Sequence, residues 1–502
     1  MAKPAKAAAT GAVQGTPAIK VRMYRQGLGD SFLLTVPDKD GKPFNILFDC
    51  GAILGTPQIA TVLEQVLNDV IATTGGELDV LVVTHEHYDH VAAFSLLPEK
   101  FAQPGRSERG KLSVRSVWFA WTEDPDDELA RTIRAQRQAR KEALAGLAAA
   151  AEAMGVADAV PDGVLAALDF FGVARGGGSE AALGSTAKAM KNAAGFAPKD
   201  AVKYWNPGES WSSDTVPAVR VHVLGPPRDA KKMGKTDSTT EVYHLDADPL
   251  EDLVRMGADR DGGGKAFCPF ENPYRRDLRD LEAGRSVGPL RDFLIENYWG
   301  PKPTTPEHDP SWRRIDGEWM ASAEQLALAL DSATNNTSLA LAIEIVETGE
   351  VLLFPADAQV GNWLSWHDVK FDGFTTADLL SRTKFYKVGH HGSHNATLKA
   401  KGLDMMPAAG LIIFIPVVEA MAQKKRWFEM PLPHLVEALR EHNPDGIVQM
   451  DKDLPPGLKE VTEGGKGPLG SLYYDWTHDI SAAKPNGDPA QPARRTRRAG
   501  AA

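Results

Sequence analysis

The amino-acid sequence predicts a mixed α/β (α+β) domain built around a metal site, and three observations carry that prediction. Apolar runs of strand type alternate with stretches of helical spacing through the first half of the chain. Further strand-type runs, Val219 to Leu224, Val351 to Phe354 and Lys384 to Val388, follow later in the chain. Within the first set, Thr84-His85-Glu86-His87-Tyr88-Asp89-His90 packs three imidazoles and two carboxylates into seven residues, directly after the mostly apolar run Leu78 to Val83.

Ile59 to Ile71 carries apolar residues at helical spacing after Pro57 and predicts a helix, and Ser113 to Trp121 reads as a strand. Glu128 to Gly155 is rich in Ala, Arg and Leu and free of proline, so a long helix is expected. Helices over Val164 to Phe171 and Glu180 to Ala194 follow, separated by Gly176-Gly177-Gly178. Leu129, Ile133, Leu144 and Leu147 are spaced to pack against a partner helix or the domain body. Pro226 to Asp316 is irregular, and its Gly262-Gly263-Gly264 break is no phosphate loop, because no Gly-Lys-Ser/Thr follows. The helix Ala321 to Leu330 then leads to Asn335. Insertions at about 122–202 and 226–318 are assigned to a lid or specificity wall, since long loops on a rigid scaffold shape access. Val351 to Phe354 is continuously apolar, as in a strand covered on both faces, and Val360 to Trp366 reads as a helix.

The first cluster is metal-ligand chemistry at a strand end. Side chains alternate in an extended segment, so His85 and His87 point the same way and chelate one ion, while a turn at Tyr88 lets Asp89 and His90 reach a second. A His-rich surface turn is the plain alternative, and the H-x-H-x-D-H spacing behind a buried-type strand weighs against it. Asp357 sits just past Val351 to Phe354, where a loop carboxylate reaches a metal cluster; alternatively it caps the following helix. Gly389 and Gly392 bracket His390-His391 with residues that permit the turns of a crowded site.

Gln26-Gly27-Leu28-Gly29-Asp30-Ser31-Phe32-Leu33-Leu34, Asn45-Ile46-Leu47-Phe48-Asp49-Cys50-Gly51, the His85 to His90 segment, Asn335-Asn336-Thr337-Ser338-Leu339, Val351 to Asp357 and Lys387-Val388-Gly389-His390-His391-Gly392-Ser393 follow one another between about Ile19 and Tyr474. This series resembles the metallo-β-lactamase superfamily, and within it the branch that includes the hydrolase domain of bacterial DNA-uptake competence proteins. The resemblance implies a four-layer αββα sandwich, two mixed sheets face to face with helices outside and metals at one sheet edge. It implies two divalent ions, one on His85, His87 and Asp357, the other on Asp89, His90, Asp357 and one histidine of His390-His391. His390 is favoured there, which leaves His391 or His394 to face substrate or support the site. Asp49 is expected to hydrogen-bond site loops or a ligating imidazole. Asn335 stands where the wider superfamily supplies a third histidine; His222 is the nearest alternative, and a satisfied strand histidine is the plainer reading of it. The competence branch carries a His-Pro pair late in the chain, where Trp427-Phe428-Glu429-Met430-Pro431 stands here.

Mixed imidazole and carboxylate ligands suit zinc first, then manganese or iron. The implied reaction is hydrolysis by a water shared between two ions, with Asp89 orienting it and accepting its proton. His391, Ser393 or Lys387 then stabilises charge on substrate oxygens. A phosphodiester, in nucleic acid or a smaller molecule, is the favoured substrate; the alternatives are lactone, thioester or amide hydrolysis, or a noncatalytic metal-bearing interaction protein.

Length alone, 502 residues, suggests about three domains, but the motif order favours one domain over 19–476, with tails 1–18 and 477–502 expected to be disordered. Apolar content of 43% with 25% charged residues allows a large core. No apolar stretch approaches the ~20 residues of a membrane helix. Met1 to Lys20 lacks the apolar block of a secretory signal, so a cytoplasmic location without a membrane partner is expected. Cys50 and Cys268 build neither a disulfide framework nor a thiolate zinc site, and Cys50 reads as a buried inert thiol. A net charge of −11 works against loose nucleic-acid binding, leaving room for a local basic channel. The tail Arg494 to Arg498 reads as a solubilising end, and the helical insertion offers a surface for a protein partner.

Overall fold

A computed structural model of the chain describes residues 18–153, 160–173, 179–234, 288–299, 318–425, 427 and 430–480. Nearly all of both expected tails (1–17 and 481–502), most of the second insertion, the two triple-glycine breaks, Cys268 and Glu429 lie outside the described residues. The strands of the first sheet are β1 (Ala18–Tyr24), β2 (Phe32–Pro37), β3 (Pro43–Phe48), β4 (Glu77–Val82), β5 (Ser113–Ala120) and β6 (Val202–Trp205), joined at its other edge by β14 (Val461–Leu469) and β15 (Ser471–Asp479). The second sheet holds β7 (Ser210–Trp211), β8 (Val219–Gly225), β9 (Ala340–Ile345), β10 (Val351–Phe354), β11 (Thr383–Lys387), β12 (Ile412–Ile415) and β13 (Ile447–Gln449). The helices that bear on the site are α1 (Ile59–Thr74), α2 (Tyr88–Leu96), α3 (Glu128–Ala153), α4 (Asp162–Phe170), α5 (Ser179–Ala194), α6 (Glu318–Asn335), α7 (Val360–Trp366) and α8 (Pro433–His442).

Both sheets are mixed. β14, β15, β1, β2 and β3 pair antiparallel in that order, then β3 to β6 run parallel. In the second sheet β7 to β10 pair antiparallel and β10 to β13 run parallel. Parallel neighbours end on the same side, so β3 and β4 release their carboxyl ends together, as do β10 and β11.

The alternation of side chains explains the packing. Met23, Leu34 and Phe48 of the first sheet share one buried cluster with Val223, Ile343 and Phe354 of the second, and the rings of Phe48 and Phe354 stack with centroids 4.3 Å apart. The other face of the first sheet, with Leu33, Leu47, Leu81 and Val117, is covered by α1, α2 and α5. The other face of the second packs with α7 and α8. β10 is apolar throughout because Leu352 and Phe354 enter the shared cluster while Val351 and Leu353 enter the outer one. α1 buries Val62, Leu63, Val66, Leu67 and Val70 on one side and stops at Gly75, whose left-handed φ of 67° turns its N–H onto the Ile71 carbonyl.

The helical insertion finds a partner within the chain. Leu144 and Leu147 of α3, Val164 and Leu168 of α4, and Leu326 and Leu330 of α6 form one apolar cluster, so the helix that closes the second insertion packs on the first. Leu129 and Ile133 pack with Trp121, Ala130 and Met233. β15 continues to Asp479, three residues beyond the boundary expected at 476. Among the described residues no helix is long and apolar enough to cross a membrane.

Candidate metal centre

Local backbone chemistry sets the loop between β4 and α2. His87 is the N-cap of α2, so Asp89 and His90 occupy the first helical turn, where a plain turn was expected. The Asp30 N–H donates to the Asp89 carbonyl at 3.0 Å and the Cys50 N–H to the His90 carbonyl at 2.8 Å, which docks both opening loops on that turn. The approach requires glycine: a Cβ on Gly51 would lie 2.2 Å from the Asp89 carbonyl carbon. Asp49 and Ala356, each just past its strand, have φ of 53°, a strained left-handed conformation for residues with a Cβ.

One nitrogen or oxygen from each of Asp89, His90, Asp357 and His391 lies within 4.8 Å of the others, and all four side chains are buried. His90 Nε2 is 3.1 Å from Asp357 Oδ2, and His391 Nε2 is 2.8 Å from Asp89 Oδ2. Donor atoms around a tetrahedral zinc sit roughly 3.3 Å apart, so these spacings fit the edges of a coordination shell. Each ring is oriented through its other nitrogen: His90 Nδ1 donates to Asp49 Oδ2 at 2.8 Å, and His391 Nδ1 to the Pro416 carbonyl at 2.7 Å. With Nδ1 held as a donor in each ring, Nε2 is the nitrogen that would turn its lone pair to a cation on giving up its proton. Asp89 Oδ1 is buried with no hydrogen-bond partner, an acceptor left over for an ion or a water.

Charge supports the same reading. Burial alone would lower the pKa of His90, yet Asp357, Asp89, Asp30 and Asp49 hold it well above the usual value. Burial would raise the Asp357 carboxyl, and His90 and Lys387 hold it well below the usual range. A concentration of carboxylates this far from water persists only beside positive charge.

His85 Nε2 and His87 Nδ1 face each other at 3.1 Å, the shared direction expected of a His-x-His pair. Among the described residues, neither joins Asp357 in a group of three ligand atoms within 4.8 Å. His87 is pushed down to about 3, by burial first, and its Nε2 is 3.8 Å from Asp331 Oδ1, neither atom having a hydrogen-bond partner. A second group of three, Asp30, Asp49 and His90, is already engaged, with Asp30 ion-paired to Lys387.

The remaining expected residues fall as follows. Of the pair His390-His391, it is His391 that enters the ligand group, where His390 was favoured. Both residues have left-handed φ, 43° and 52°, and this tight double turn carries His391 back toward Asp89 while His390 stays on the wall of a neighbouring cleft. His390 Nδ1 meets Ser393 Oγ at 2.9 Å and Gln359 Nε2 at 3.4 Å, and its buried Nε2 has no partner. Lys387, expected to face substrate, is buried instead, donating to the Ala356 carbonyl at 3.0 Å and to Asp357 Oδ1 at 3.3 Å besides its pair with Asp30. All its protons are committed, so it braces Asp357 from behind. Asp357 does not cap α7, whose N-cap is Gln359. Asn335 ends α6 and donates to Asp331 Oδ2 at 3.2 Å. His222 is a satisfied strand histidine, bonded to Ser210 Oγ at 2.8 Å and Glu344 Oε2 at 3.2 Å.

Several residues around the site escaped sequence reading. Asp331, pushed up to about 8 by burial and then by Asp89 and Asp357, lies one helical turn before Asn335, a spacing that could have drawn notice. Glu86, between the two facing histidines, pairs with Arg137 at 2.7 Å and Lys141 at 3.3 Å, both buried on α3. Arg137 also pairs with Glu123 at 2.9 Å, so the insertion grips the loop that carries His85 to His90. α4 and α6 wall a cleft of about 640 Å³ that also exposes Gln359, His390 and Ser393.

Cys50 is fully buried, and burial pushes its thiol up to about 12. Iodoacetamide under native conditions is therefore expected to leave Cys50 unmodified in a peptide map, whereas unfolding exposes it; rapid native labelling would contradict this packing. Compared with known proteins, the chain matches no family model and no curated protein.

Proposed function

We propose that this chain is a metal-dependent hydrolase of the metallo-β-lactamase type, a four-layer αββα sandwich that cleaves phosphodiesters. The observation that carries the reading is the gathering of Asp89, His90, Asp357 and His391 at strand ends of both sheets, beside a cleft that His390 and Asp331 help to line. The order of the motifs along the sequence supports it. Zinc is the metal that best suits this donor set, and His85 with His87 would hold a second ion. Bound there, the metals supply Lewis acidity and lower the pKa of water.

The protein's own groups have separate tasks in this reading. Asp89 would share an ion with His391 through Oδ2, beside His391 Nε2, and has Oδ1 without a hydrogen-bond partner to orient a water and take its proton. Lys387 keeps Asp357 ionised and in place. His390, on the cleft wall, offers Nε2 to an oxygen of the substrate.

The test is metal analysis paired with a substrate panel. Zinc-loaded protein is expected to hydrolyse bis-p-nitrophenyl phosphate, to lose that activity in a chelator and to regain it with added zinc. Faster turnover of a lactone or thioester would move the reading to carbon electrophiles, and metal uptake without any turnover would leave a metal-bearing interaction protein.

A further inference from the structure

The cleft beside the ligand group has a chemical character that the metal site does not dictate. Its inner wall is aromatic: the Phe170 ring stacks on Trp427 with centroids 4.8 Å apart and planes within 2°, and its neighbour on the metal side is His87, at 5.1 Å. An aromatic column therefore leads from an imidazole of the His-x-His pair to the cleft. Gly163, Ala166 and Ala167 of α4 face Ala327 and Leu328 of α6, and these mostly small side chains leave room for a flat group. A volume of about 640 Å³ suits one small molecule.

The charge of the described lining residues favours a small anion over a polymeric one. Lys425 is the one lysine or arginine among the described lining residues, and its Nζ is paired with Asp169 at 2.6 Å. Asp162 and Asp331 also line the cleft, and neither brings a positive charge. A nucleic-acid strand brings a negative charge with every nucleotide and needs cations along its path. A single charge can be met at the metal end, where His390 also stands with a buried, unpartnered Nε2.

We propose that the cleft seats the aryl arm of a small, singly charged ester against Trp427, whose ring is backed by the buried Phe170, with His390 meeting an oxygen at its inner end. This rests on the hydrolase reading for the identity of the ester and narrows its substrate to aryl diesters of phosphate. A flat ring laid on an aromatic face gains contact area and offset stacking that a methyl group cannot.

Dimethyl phosphate, methyl phenyl phosphate and methyl 1-naphthyl phosphate carry the same charge and differ only in the arm. Calorimetric titration of the zinc-loaded full chain is expected to show affinity rising by about tenfold from the first to the last. Trp427→Ala should remove that gain along the series, and Trp427→Phe should keep most of it. Equal affinity along the series, or a short oligothymidylate binding more tightly than the naphthyl ester, would overturn the proposal. Should the alanine variant fail to fold, the wild-type series still decides. Binding is read without turnover: an aryl preference with no hydrolysis of any ester removes the hydrolase reading and keeps the cleft, whereas hydrolysis with no preference does the reverse.

Discussion

An Asp357→Asn variant is expected to lose bound metal and to hydrolyse its substrate at least roughly 10³-fold more slowly, since each tenfold corresponds to about 1.4 kcal/mol and a metal contributes several. The asparagine keeps the shape of the carboxylate and its hydrogen bond from the His390 N–H, which reaches Oδ1 at 3.1 Å. What it cannot keep is the charge. His90 Nε2, 3.1 Å away, would face an amide, and Lys387 would retain only Asp30 as an ionic partner. Metal stoichiometry by mass spectrometry and the rate on bis-p-nitrophenyl phosphate, measured together, separate the outcomes. A variant with full metal content and full rate would remove Asp357 from the ligand set.

Gly51→Ala acts on the same site through backbone alone. The added Cβ would meet the Asp89 carbonyl carbon at 2.2 Å, its oxygen at 2.3 Å and the His90 nitrogen at 2.4 Å. Backbone atoms held by the hydrogen bond from Cys50 N–H to the His90 carbonyl cannot rotate away as a side-chain tip can, so the first turn of α2 must move. Overpacking of this kind costs about 3 kcal/mol, and here it also displaces two of the candidate ligands, Asp89 and His90. Thermal melts of the metal-free protein, followed by zinc titration, are expected to show a lower midpoint and weakened uptake. Gly457→Ala is the matched control, because nothing lies within 4 Å of its added Cβ. If both variants melt with the wild type, the close approach at Gly51 is not as tight as described.

How much of this was legible in the sequence depended on distance along the chain. The His-x-His pair could be read because alternation in an extended segment is local, and the strand character of Val351 to Phe354 because double burial leaves an unbroken apolar run. The choice between His390 and His391 could not be read. It turns on two consecutive left-handed residues, which nothing in their side chains announces. Lys387 looked available for substrate because its partner, Asp30, comes from a loop at the far end of the sequence and meets it only when the sheets pack. Likewise the apolar stripe of α3 required a partner without naming α6. Glu86 has no role assigned from the sequence, although burial with Arg137 and Lys141 makes it the anchor of that loop.

The residues gathered at the candidate centre leave β3, β4, β10 and β11, two strands from each sheet. An ion seated among them would act as a rivet through both halves of the chain, tying the segment around residue 90 to segments around 357 and 391. Occupancy and folding then become one equilibrium: at a hundredfold excess over its dissociation constant, a ligand of the native state alone adds about 2.7 kcal/mol. The supply of free metal would in that case govern how long the two halves stay together, as well as how fast any substrate is turned over.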